Sequence, residues 1–115
     1  MTYDPNNVFA KIIRSQLPCV KIYEDEDILS FYDAYPQAKI HALVIPKEPF
    51  KDYDDFMTHA SLELIAKYFQ TIQHVISLLK LDSYRLVTNK GKQSGQSVFH
   101  FHTHILCDNN ITNLI

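Results

Sequence analysis

The sequence predicts an α+β domain, with a largely antiparallel sheet of about five strands, a short N-terminal helix and one long helix. Three observations carry this reading. From Ser61 to Leu81, Leu62, Ile65, Phe69, Ile72, Ile76 and Leu79 recur at three and four, the stripe of one helix of roughly five turns. Apolar runs of strand length at Val20 to Glu24, Ile28 to Asp33, Ala42 to Ile45, Tyr84 to Thr88 and Val98 to Leu106 are joined mostly by short turns. The helical segments are grouped instead of alternating with the strands, which disfavours parallel βαβ units.

Taken in order, residues 1–6 are polar and read as a disordered or extended N-terminal segment. Val8, Phe9, Ile12 and Ile13 then fall at helical spacing, with Asn6 or Asn7 as cap, which predicts a short helix over 7–15. Pro18 blocks its continuation. The acidic turn Asp25-Glu26-Asp27 suits a hairpin between the first two strands. Ala42-Leu43-Val44-Ile45 is a continuous apolar run and reads as a buried strand, ended by Pro46. Residues 48–57 show no clear period and read as a loop with one helical turn. His74 in the long helix and His59 just before it read as structural residues.

A chain of 115 residues with 46% apolar composition, Tyr 7 and Phe 7 can bury one real core, so a single domain over 1–115 is expected. A formal charge of −2 and a pI near 6.3 give no broad positive field, which excludes a nucleic-acid backbone as the main partner. The N-terminal segment lacks the basic start and apolar stretch of a secretory signal, and no apolar run approaches the roughly 18 residues of a membrane span. A cytoplasmic protein without membrane partners is expected. Cys19 and Cys107 stand in no redox or zinc spacing and read as free thiols.

The most informative stretch is His100-Phe101-His102-Thr103-His104, which holds half of the six histidines at every second position. On a strand, the three imidazoles project from one face and Phe101, Thr103 and Ile105 from the other. Positions i and i+4 lie roughly 13 Å apart on a strand, whereas zinc holds each nitrogen at about 2.0–2.1 Å. All three rings therefore cannot share one ion, and no Cys-x-x-Cys or His-x-x-x-His supplies further ligands. No metal and no cofactor is expected. Just upstream, Asn89 to Ser97 carries both glycines of the chain. Such a loop can bring backbone N–H groups against an anion, because glycine lacks the Cβ that bars positive φ and close approach. Beside three aligned histidines, it reads as a phosphate site.

Gly95-Gln96-Ser97-Val98-Phe99-His100-Phe101-His102-Thr103-His104-Ile105-Leu106 resembles the signature of the histidine triad superfamily, His-φ-His-φ-His-φ-φ with φ apolar. Phe9-Ala10-Lys11-Ile12-Ile13-Arg14, Glu24-Asp25, Asp33 with Pro36-Gln37-Ala38, and His41-Ala42-Leu43-Val44-Ile45-Pro46-Lys47 follow the nucleoside phosphoramidase branch in the same order. The resemblance spans about Val8 to Leu106 and implies the HIT-like fold and a homodimer. Relatives with structural zinc carry an N-terminal cysteine pair where this chain has Val8-Phe9-Ala10-Lys11.

A neutral imidazole is a nucleophile near pH 7. The central ring is flanked on both sides by rings that can orient it, so His102 is the expected nucleophile, and the resemblance implies the same. It further implies a nucleotidyl-histidine intermediate at the α-phosphorus of a purine nucleoside monophosphate conjugate, such as adenosine phosphoramidate. His104 is then expected against the phosphate or its bridging atom, with His100 supporting His102 from behind. Phosphoryl oxygens gain charge as the leaving group departs; backbone N–H groups near Gly95 to Val98 and the Ser97 hydroxyl are candidate donors. The resemblance also places Ser97 near the leaving group, Gln96 at phosphate or water and Asn89 at the sugar–phosphate. It puts His41 behind the triad, Asp33 on the ribose diol, and Val8, Phe9, Ile12 and Phe31 around the base. Taken alone, His41 reads as a strand-start residue, Asp33 and Asn89 as turn residues, and the apolar four as core.

The chain departs from the branch after His104. Ile105-Leu106-Cys107-Asp108 lacks the expected glycine pair, and the tail from Asn109 to Ile115 has no tryptophan or proline. Two rival readings stay open: a dinucleoside polyphosphate hydrolase using the same histidine, and a non-catalytic nucleotide-binding or scaffold module. The transferase branch typically carries glutamine where this chain has His104.

Overall fold

The computed structural model describes residues 2–108; the divergent tail from Asn109 onward lies outside them. The elements are α1 (Val8–Ile13), β1 (Lys21–Glu24), β2 (Ile28–Tyr32), β3 (Ile40–Pro46), α2 (Tyr53–His59), α3 (Leu62–Leu78), β4 (Arg85–Val87), a single 3₁₀ turn (Lys92–Ser94) and β5 (Thr103–Cys107). The strands form one sheet in the order β1-β2-β3-β5-β4, and every neighbouring pair is antiparallel. This is the α+β architecture that the periodicities predict.

Alternation along the strands gives the sheet two covered faces. Ile28, Ala42, Val44, Phe101 and Ile105 point to one side, where they pack with Phe56 of α2 and with Tyr68, Ile72, Val75 and Ile76 of α3. Leu29, Phe31, Leu43 and Ile45 point to the other, covered by Phe9 and Ile12 of α1. Burial on both faces is why β3 reads as an unbroken apolar run. The register sets Phe31 opposite Leu43 and Leu43 opposite His104. Asp33 N–H reaches the His41 carbonyl at 2.9 Å, which continues the β2–β3 register by one more pair. Asp33, His41 and His104 therefore share the α1 face.

Two expectations need correction. Residues 53–59 form a two-turn helix where a loop with one helical turn is expected over 48–57: the Asp52 side chain accepts from Asp55 N–H, and Asp54 and Asp55 occupy its first turn, where acidic groups complement the helix dipole. The last strand begins at Thr103 and not at Val98. Residues 98–102 stay outside the ladder because their backbone groups are taken elsewhere: Phe101 N–H by the Phe50 carbonyl, the His102 carbonyl by the Thr88 hydroxyl, and the His100 carbonyl by the His102 ring. Hydrogen bonds tie down the N-terminal segment around residues 4–7. Asn7 accepts from Ala10 N–H as the α1 cap, the Asn7 amide and backbone both donate to the Asp4 carbonyl, and the Arg14 guanidinium donates to the Pro5 carbonyl.

Among the described residues, no helix is long and apolar enough to cross a membrane. Cys19 and Cys107 are free. His59 pairs with Asp55 on α2 and His74 sits edge-on to Tyr23, in keeping with structural roles.

Candidate active site

Four histidines converge on the α1 side of the sheet. His102 and His104 have ring centroids 5.0 Å apart, and His104 and His41 lie at 5.1 Å. His100 is fully buried behind them and His102 is nearly so. Phe101, Thr103 and Ile105 face the opposite core, so the alternation expected of a strand holds through residues outside the ladder. Cross-strand register explains the meeting of His41 with His104: His41 stands opposite Leu106, and His104 is the diagonal neighbour two residues away.

Hydrogen-bond partners determine where each ring carries its hydrogen. His102 Nδ1 lies 2.7 Å from the His100 carbonyl, which can only accept. The hydrogen is therefore on Nδ1 and the Nε2 lone pair is free. Nε2 has no hydrogen bond among the described residues, none of which buries an unpartnered side-chain nitrogen or oxygen; this atom is therefore open to solvent. His41 shows the reverse case. Its Nδ1 accepts the Gln37 N–H at 3.0 Å, so its hydrogen is on Nε2, 2.8 Å from His104 Nδ1. His104 accepts there and keeps its own hydrogen on Nε2.

Burial keeps these rings neutral. It pushes His100 and His104 down to about 4 and lowers His102, in which the His100 carbonyl and Asp33 oppose the shift. His41 is lowered by burial against the pull of Asp33. At neutral pH the site thus holds an unprotonated Nε2 on His102 beside an Nε2–H on His104, an acceptor and a donor on adjacent rings.

The description of the HIT domain matches residues 14–111. The chain belongs to the HIT family. An uncharacterized HIT-like protein of Rickettsia prowazekii is 47% identical over 98% of this chain and 96% of its own length. A structure titled as a HIT family hydrolase from Clostridium thermocellum is 33% identical, with a TM-score of 0.83 over 96% of each chain. A hypothetical histidine triad nucleotide-binding protein from Sulfolobus tokodaii is 34% identical, with a TM-score of 0.75 over 87% of this chain and 67% of its own.

Around the triad of this HIT domain, α1 supplies an apolar wall. Phe9 stands edge-on to His102 at 4.9 Å and to Phe31 at 5.6 Å; Ile12 packs on the same cluster, while Val8 is half exposed at the rim. Asp33 sits at the far end. Its Oδ1 accepts the Tyr35 N–H, and its Oδ2 lies 3.4 Å from His41 Nε2.

Asp33, His41 and His104 each offer a ligand atom within 4.8 Å of the other two. This is the only such set among the described residues, and sequence spacing does not reveal it because it joins three strands. A cation would need the Nε2 lone pair of His41. Its hydrogen would then move to Nδ1, directly against Gln37 N–H. The partners favour a proton path over a metal.

The glycine loop is tightly wound. Gly91 and Gly95 hold φ of +94° and +96°, a region that favours glycine. Ser94, Gly95 and Gln96 N–H groups are spent inside the loop on Gly91 and Lys92 carbonyls. The Gln96 side chain is buried and accepts from Gly91 N–H while donating to the Lys51 and Val98 carbonyls. Gln96 thus braces the loop through both its side-chain oxygen and its amide nitrogen, and Gly95 offers no free donor. The N–H groups of Ser97 and Val98 and the Ser97 hydroxyl have no hydrogen bond among the described residues and are free to donate. Asn89 lies against the loop, its amide 3.9 Å from where a Gly95 side chain would begin. A cleft of about 1110 Å³ opens between this loop and α2, lined by Asp54, Asp55, His59 and Lys90. None of the four converging histidines lines it, so volume alone does not mark the chemistry here.

Sequence reading missed Tyr3, whose hydroxyl is 2.7 Å from His100 Nδ1 across 97 residues of chain. No periodicity or spacing signals such a contact. It missed Gln37 for the same reason, since a backbone N–H leaves no mark in a sequence.

Proposed function

We propose that this HIT protein hydrolyses purine nucleoside monophosphate conjugates, in particular phosphoramidates such as adenosine phosphoramidate, through a nucleotidyl-His102 intermediate. The observation that carries the reading is the pair of opposite tautomers on His102 and His104. In the first step His102 Nε2 forms a bond to the α-phosphorus as the bond from phosphorus to the leaving nitrogen breaks. His104 gives its Nε2 hydrogen to that nitrogen and is resupplied at Nδ1 from His41. In the second step water attacks phosphorus as the bond to His102 breaks, the proton of that water returns through His104 to His41, and the nucleoside monophosphate departs.

The remaining residues take supporting roles. Ser97 and Val98 N–H and the Ser97 hydroxyl face the phosphoryl oxygens, where fixed donors contribute most as charge develops. Phe9, Ile12, Phe31 and Val8 receive the base, Asp33 the ribose diol, and Asn89 the sugar–phosphate. His100 holds His102 through its carbonyl. The names of the similar proteins support the reading at a coarser level: one is a HIT family hydrolase from Clostridium thermocellum and another a hypothetical histidine triad nucleotide-binding protein from Sulfolobus tokodaii. The reading includes a cytoplasmic homodimer. β4 is an edge strand, with Leu86 exposed on it and Tyr84 exposed just before it, which suits the joining of two sheets across a two-fold axis.

A turnover comparison tests the substrate class. Adenosine phosphoramidate is expected to be hydrolysed with a higher kcat/KM than a diadenosine polyphosphate; the reverse order would assign the chain to the polyphosphate hydrolases.

A further inference from the structure

His100 is the triad member farthest from the reacting atoms, and both of its ring nitrogens are engaged. Nε2 is 2.7 Å from the Pro46 carbonyl, which can only accept, so the hydrogen is on Nε2. A neutral ring then presents a lone pair at Nδ1, and the Tyr3 hydroxyl donates to it at 2.7 Å with the rings edge-on at 5.7 Å. Burial raises the phenol above its ordinary value and keeps it a donor. The segment carrying Tyr3 is itself pinned, by the Asp4–Asn7 turn and by Arg14 on the Pro5 carbonyl. With Ser97 and Val98, residues of this segment wall a cavity of about 400 Å³ beside the anion donors.

The His100 carbonyl decides which nitrogen of His102 is protonated, and it lies in a stretch without ladder partners. Its direction depends on Phe101 N–H bound to Phe50 and on the anchored His100 ring. We propose that Tyr3 is a positioning residue of the triad: its hydroxyl locks the His100 ring and thereby holds His102 in the tautomer with Nε2 free. The inference rests on His102 as the nucleophile. Without the hydroxyl, a buried lone pair on His100 loses its donor, the ring is held by its Pro46 contact alone, and His102 spends part of its time with Nε2 protonated and unreactive. Tyr3 reaches the reaction only through His100, so the loss falls on kcat and not on KM.

Tyr3→Phe removes the hydroxyl and leaves the ring contact. For adenosine phosphoramidate, kcat is expected to fall about threefold to tenfold, the equivalent of one hydrogen bond, with KM unchanged within about twofold. Nitrogen-15 NMR of the imidazoles is expected to show a single Nδ1–H form of His102 in the wild type and a mixture in Tyr3→Phe. In a His100→Gln background, Tyr3→Phe is expected to cost nothing further. Unchanged His102 tautomers in Tyr3→Phe, or a kcat loss that adds in full to that of His100→Gln, would overturn the proposal. A tautomer shift in a protein that never turns over the phosphoramidate would support the positioning contact and sink the nucleophile reading instead.

Discussion

His102 and His104 face each other with ring centroids 5.0 Å apart and carry their hydrogens on opposite nitrogens. The difference comes entirely from their partners. A backbone carbonyl claims the Nδ1 hydrogen of His102, while His41 donates to Nδ1 of His104. Two identical side chains, two residues apart, thereby present an acceptor and a donor.

Both rings must be neutral for this pairing, and burial lowers both, His104 to about 4. The acid limb of kcat is therefore expected below the ordinary histidine value of about 6.5. A pH–rate profile of the wild type checks this. An acid limb at or above that value would mean that the rings are not held neutral by burial.

Stability should follow acid in the same direction. His100 is neutral in the folded state down to about 4, whereas in the unfolded chain it protonates near 6.5. Between these values the unfolded state binds more protons, so stability falls as pH falls from about 6.5 to about 4 and levels off below. The shift corresponds to a loss on the order of 3 kcal/mol from this one ring. Denaturant unfolding of wild type and His100→Gln across that window checks it; the slope should flatten in the variant, and equal slopes would assign the acid sensitivity elsewhere.

The fold was largely legible because its two signals are periodic: the stripe of α3 and the apolar runs of β1 to β5. What escaped was set by partners and not by period. Residues 98–102 alternate as a strand does, yet their carbonyls bond to side chains, so the ladder starts only at Thr103. α2 reads as a single turn because seven residues give too little period to show its full length, although the Asp52 cap and acidic first turn mark its start. In the site, the three histidines and the glycine loop stood out by pattern. The Asp33–His41–His104 meeting and the Tyr3 contact depend on strand register and on a segment folding back, which one sequence does not display.

Asp33 has two neighbours that bear on its role, Tyr35 N–H and His41. If it also accepts the ribose hydroxyls, Asp33→Ala should weaken ribonucleotide binding by roughly 1.5–3 kcal/mol, the range for hydrogen bonds to a charged group. A 2′,3′-dideoxy ligand should already lack that increment, so the two changes should not add. Calorimetry of both ligands on both proteins separates the cases, and simple additivity would leave Asp33 as a turn residue beside His41.

Exhaustive chelation should leave turnover unchanged, because the tautomer of His41 opposes a cation at Asp33, His41 and His104. Activity lost on chelation and restored by zinc alone would place an ion there after all.

The proposed attack by His102 on phosphorus requires a covalent adduct, and trapping it is the most direct measurement. Acid-stable quenching is unsuitable for a phosphorus–nitrogen bond, so the reaction with adenosine phosphoramidate should be stopped by rapid denaturation at alkaline pH and digested for mass spectrometry. The expected result is an adenylyl group on the peptide containing His102, absent in His102→Ala, which should also lose turnover by several orders of magnitude. Turnover by His102→Ala within about tenfold of wild type, or an adduct on another residue, would contradict the assignment.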